Sequence, residues 1–149
     1  MTKLNLTILV CLLLATNFYC TAQGAKSNYK IVNKFSIEGD GGWDYITIDE
    51  LTGRLFISHS TVTQVVDSKT GKLIKSIPDT KGVHGITLAP AVNKAFISCG
   101  KDSTVTIINL STLDLISKIN IQGANPDAIL YDKYSNRVFV LTAVHRMLL

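Results

Sequence analysis

The chain has 149 residues, 15 of them basic and 11 acidic, with 46% hydrophobic and 17% charged side chains. That length is a prior for one domain, and the composition supports a packed core and excludes a chain disordered throughout. The basic residues are spread singly, so the net charge of +4 leaves no concentrated footprint for a nucleic acid.

The first twenty-odd residues read as an export signal. Lys3 supplies the positive flank, Leu6 to Ala15 form a short apolar run, and Cys20, Thr21 and Ala22 supply the small residues of a cleavage site. Residues 1–22 are therefore expected to be a signal peptide cut after Ala22, leaving residues 23–149 periplasmic or secreted. The apolar run is too short to cross a bilayer, which takes about 20 residues, and no later segment is longer, so no membrane span is expected. Lipoprotein anchoring at Cys20 is disfavoured, because Asn17, Phe18 and Tyr19 are bulky or polar where that processing takes small or aliphatic residues. Cleavage would remove Cys11 and Cys20. The remaining Cys99 has no partner for an internal disulfide and is expected to be a buried small hydrophobe.

Beyond the signal the sequence repeats. Asp44-Tyr45-Ile46-Thr47-Ile48, His84-Gly85-Ile86-Thr87-Leu88 and Asp127-Ala128-Ile129-Leu130-Tyr131 are offset by 40 and then 43 residues, and Phe56, Phe96 and Phe139 by the same amounts. Val65-Val66-Asp67 corresponds to Ile107-Ile108-Asn109, and Leu73 to Ile77 corresponds to Leu115 to Ile119, each at 42. The segments are rich in β-branched and aromatic residues and are bounded by turn formers, the pattern of strands joined by hairpins. Gly53, Asn93 and Asn136 share one turn position that calls for a left-handed backbone, and Thr70-Gly71 makes a second turn of that kind. Four antiparallel strands in about 42 residues predict the blade of a β-propeller.

The expected organisation is an outer strand at 30–37, one blade at 43–77, a second at 84–119 and a partial blade at 127–142. The fold class is thus all-β, with incomplete propeller blades. Phe56-Ile57-Ser58-His59, Phe96-Ile97-Ser98-Cys99 and Phe139-Val140-Leu141-Thr142 resemble degenerate copies of the Tyr-Val-Thr-Asn tetrapeptide of the YVTN repeat propellers. Gly41-Gly42-Trp43-Asp44-Tyr45, Gly82-Val83-His84-Gly85-Ile86 and Asn125-Pro126-Asp127-Ala128-Ile129 resemble the exported YncE-like branch of that group. The resemblance covers about residues 30–142. It implies a seven-bladed exported protein more than twice this length, in which an N-terminal outer strand completes the last blade. About two and a half blades cannot close a ring of at least four. The chain is therefore expected to be a truncated or frameshifted piece, the alternative being a short protein that assembles from further copies. Val144-His145-Arg146-Met147-Leu148-Leu149 lacks the turn and third strand expected next.

Strand order places the entry of each first strand and the exit of each second strand at one end of the blades. Asp44, His84 and Asp127 occupy equivalent entries, with Trp43 beside the first, and His59 leaves a second strand at the same end; all five are candidate ligand-binding residues at a channel mouth. Asp44, His84 and Asp127 are candidate metal ligands or an acid and base. Equally, Asp and His at such turns cap backbone amides, and Trp43 is either blade packing or a platform for a sugar or a base. Gly39-Asp40-Gly41-Gly42 lacks the Lys and Ser or Thr of a phosphate-binding loop and reads as a turn. No haem attachment, paired-cysteine zinc pattern or nucleophile elbow is present, so no cofactor is identified and no catalytic residue is assigned.

The reading is a binding or scaffold module acting through its loop end on an unidentified protein or small molecule. The resemblance implies two alternatives, a metal-assisted lactonase-like hydrolase and a single-stranded DNA binder.

Overall fold

The computed structural model describes residues 28–143; the expected signal peptide and the tail from Val144 lie outside them. Among the described residues there is no α-helix, and no helix long and apolar enough to cross a membrane. The chain divides into two bodies after Lys34. The described part of the first, residues 28–34, is exposed and belongs to no strand.

Among its described residues the second body holds ten strands in three antiparallel sheets. The first is β1 (Trp43–Asp49), β2 (Arg54–His59), β3 (Val62–Asp67) and β4 (Leu73–Ile77), paired in chain order. The second repeats it with β5 (Val83–Ala89), β6 (Lys94–Cys99), β7 (Thr104–Asn109) and β8 (Leu115–Asn120). The third is the pair β9 (Pro126–Asp132) and β10 (Arg137–Thr142). Gly53, Asn93 and Asn136 all have positive φ at the turn between the first two strands of their sheets, the left-handed conformation that turn was expected to need. The fold is all-β and built of propeller-like blades.

Side chains alternate across each sheet, so every blade has two faces. From the first blade Phe56, Val65 and Ile77 face the second. From the second Ile86, Ala95, Ile97, Cys99 and Ile108 face back, and with Val83, Leu110 and Leu113 these form the buried core cluster. Cys99 is fully buried, as expected, with its Sγ 3.4 Å from Thr106 Oγ1. We call the Phe56 side of a blade its front and the Ile97 side its back.

The outer strand expected at 30–37 is absent. Residues 35–39 instead cross the back face of the first blade over its outer strands. The Phe35 ring packs on Gly71, Gln64 Nε2 donates to the Glu38 carbonyl at 2.8 Å, and Gly39 lies against the His59 ring. A strand exists only by pairing along an edge; lying across a face, this segment meets side chains and finds no ladder to join.

At the opposite end from the candidate site, buried Asp49 accepts from Thr52 Oγ1 at 2.5 Å and Arg54 Nη2 at 2.9 Å. Burial pushes its pKa up, but the bonds to Thr52 and Arg54 outweigh this and hold the carboxyl below its ordinary value. A folded-state pKa that is depressed gives stability that is present above the unfolded value, about 3.9, and is lost as pH falls through the folded one. Arg54→Met is therefore expected to move the midpoint of acid unfolding to higher pH than in the parent, read by circular dichroism along a pH titration.

Candidate functional site

The loop end is positioned by two buried serines. Ser58 and Ser98 occupy one position of the repeat in the second strands, both fully buried and pointing to the front. Ser58 Oγ donates to the backbone carbonyl of His84, and Ser98 Oγ donates to that of Asp127. Each serine thus fixes the entry of the next blade's first strand. A second pair of bonds sits one turn of the pleat away, where Thr47 Oγ1 donates to the Ile86 carbonyl at 2.8 Å and Thr87 Oγ1 accepts from the Tyr131 amide at 3.1 Å. These hydroxyls were not singled out from the sequence, although the Ile-Ser dipeptide recurring at a spacing of 40 was the signal available.

On this frame the five candidate residues fall into three groups. Asp44 and His84, from adjacent blades, meet: the carboxylate accepts from His84 Nδ1 at 2.5 Å, with the imidazole 28% and the carboxylate 46% exposed. The other ring nitrogen, Nε2, turns toward Gly100, over which Asn125 Oδ1 also lies. Asp127 is exposed, and its side chain joins neither. Among the described residues no three His, Cys, Asp or Glu side chains gather into a set that could hold a metal ion.

Trp43 and His59 form the third group. They are cross-strand partners of β1 and β2, stacked with ring centroids 3.7 Å apart and planes 7° from parallel. His59 is buried and neither ring nitrogen has a hydrogen-bond partner, while Trp43 is half exposed. Both sit on the back face of the first blade, where the second blade has Val83 and Cys99. The stack therefore takes a packing position of the blade.

Outward on the same end, Lys118 Nζ bonds Asp79 Oδ2 at 2.7 Å and holds that carboxyl below its usual range. An open groove of about 570 Å³ lies beside it, lined by Thr61, Val62, Asp79, Lys81 and Lys101. Its charges are of both signs, so it offers no concentrated field to a polyanion.

No family model matches the chain, and no curated protein sequence does. Among solved structures, Kuenenia stuttgartiensis hydrazine synthase, a protein containing β-propeller domains, matches with a TM-score of 0.63 at 17% identity. The match covers 76% of this chain and 33% of that one, so the chain spans about a third of that structure's length. The likeness is one of fold.

The serine pins give two expectations. Ser58→Ala leaves the His84 carbonyl without its donor inside the interface between blades, a loss of about 1–3 kcal/mol, measurable by denaturant unfolding against an exposed Ser135→Ala control. Burial raises the pKa of the Cys99 thiol and leaves little reactive thiolate. A maleimide reagent should therefore label Cys99 only once denaturant unfolds the chain.

Proposed function

We propose that the chain is an exported, YVTN-type, YncE-like propeller protein that works as a binding or scaffold module through the loop end of its blades. The observation that carries this is the Asp44–His84 pair. It bridges two blades, stays open to solvent, and is required by none of the packing that holds the sheets together. Buried or core-facing ion pairs have a structural reason to exist; a half-exposed pair at a blade junction contributes little stability and is available to a ligand. The repeated tetrapeptides and the blade architecture support the family reading, and the leader-like residues 1–22 support export. The metal-assisted hydrolase would need a third ligand beside Asp44 and His84, and the DNA-binding reading would need cations gathered near Trp43.

Two measurements test the proposal. Expressed in a Gram-negative host, the chain should appear in the periplasmic fraction with an intact mass that begins at Gln23; retention of residues 1–22 in the cytoplasm would remove the export reading. Thermal shift against neutral oligosaccharides, lactones, zinc chloride and a thymidine 15-mer should give a rise in Tm that His84→Ala abolishes. A zinc response with lactone turnover would favour the hydrolase, and a thymidine response lost steeply with salt would favour nucleic acid.

A further inference from the structure

The loop end departs from its own repeat at one spot. The residue before each first strand is Gly42, Gly82 and then Asn125, and the residue after each second strand is Ser60, Gly100 and then Ala143. The backbone confirms the last two equivalences, since the Gly100 amide donates to the Gly82 carbonyl at 2.7 Å and the Ala143 amide to the Asn125 carbonyl at 3.0 Å. Asn125 thus carries a side chain where its counterparts have glycine, and Gly100 has none where its counterparts carry one. Asn125 keeps the positive φ of Gly82, +53 against +61, a conformation that asparagine tolerates.

The two exceptions meet. A side chain on Gly100 would collide with Asn125 Oδ1 and come within 2.8 Å of His84 Nε2, so the amide and the imidazole converge over bare backbone. Neither makes a hydrogen bond through these atoms within the described residues. Asp44 decides what the imidazole offers: its carboxylate accepts from Nδ1, which leaves Nε2 with a lone pair. Beside it Asn125 Oδ1 accepts and Nδ2 donates. Exposed Lys101 follows Gly100, and exposed Asp127 lies two residues past Asn125. Their opposite signs leave no net field to select an anion or a cation. A neutral ligand that gives hydrogens to two neighbouring acceptors and takes one back is a pair of adjacent hydroxyls.

We propose that His84 Nε2 and the Asn125 amide bind two adjacent hydroxyls of a neutral saccharide over Gly100, with Asp44 fixing the tautomer. This rests on the reading of the loop end as a binding surface and names the class of ligand it takes. One hydroxyl donates to Nε2 and accepts from Asn125 Nδ2, while its neighbour donates to Asn125 Oδ1. Glycine at position 100 lets the sugar ring come close to the backbone. A few placed polar groups of this kind are what fixes a small ligand in its site.

Saturation-transfer difference NMR on the full chain, with maltotriose, cellotriose and mannotriose as probes, should detect binding of at least one. Asn125→Gly, which restores the residue of the repeat, and Gly100→Ser, which restores the side chain found at Ser60, should each weaken that binding about tenfold, the loss of one or two hydrogen bonds. Ala143→Ser, at the same repeat position in the third sheet, should leave it unchanged. The nitrogen resonance of His84 Nε2 should shift on saturation with the sugar. Circular dichroism checks that each variant folds, and either of the first two suffices should the other not. No response to any of the saccharides, or binding untouched by both Asn125→Gly and Gly100→Ser, would overturn the proposal. A thermal shift with zinc chloride or the thymidine 15-mer that His84→Ala abolishes, without saccharide binding, would also overturn it but spare the loop-end reading. Saccharide binding that His84→Ala leaves intact would remove both.

Discussion

Everything in this molecule depends on blade resting against blade. A four-stranded sheet with apolar residues on both sides has no stable existence in water, and between the two full blades the front of one covers the back of the next. Phe56 and Val65 on one side and Ile86, Ala95 and Ile97 on the other make that cover. The buried hydroxyls of Ser58 and Ser98 fix its register. Apolar burial is indifferent to small slides; a hydroxyl that must reach one particular carbonyl is not.

The loop end inherits its geometry from that register. Because Ser58 holds the backbone of His84, the imidazole is presented to Asp44 of the preceding blade, so the register between two copies of one unit sets the geometry of the pair. Where the offset repeats between the second and third sheets, Asp127 occupies the matching place, but His84 has already turned its ring the other way. Equivalent positions in a repeat therefore yield one interacting pair among three candidates.

The period was legible because it is written in large side chains. Phe56, Phe96 and Phe139 mark the second strands, and Gly53, Asn93 and Asn136 mark the turns that precede them with positive φ. What stayed hidden depends on which face a residue takes near an irregularity. The ladder shifts between Trp43 and Ile46, so alternation counted from Ile46 does not carry through to Trp43, and its place beside His59 on the blade's back could not be read from spacing. The segment 30–37 has strand-like composition, but composition cannot say whether an edge is there to receive it. Cys99 was legible for the opposite reason, since a lone small residue inside an apolar repeat has few places to go.

One turn shows that the two full blades solve the same problem with different parts of the chain. In the second blade Leu113 adopts φ +63 and sends its side chain into the core. The left-handed backbone costs about 1–2 kcal/mol, and burying a leucine returns about 1.5–3 kcal/mol. In the first blade Gly71 makes the equivalent turn without that strain, and the space is filled by Phe35, from a segment that precedes the blade. The modules are consequently not interchangeable pieces. A unit cut at Val83 and Asn120 carries its own filler, whereas one cut at Trp43 and Ile77 leaves a hole at Gly71, so the smallest transplantable form of the first blade begins at Phe35.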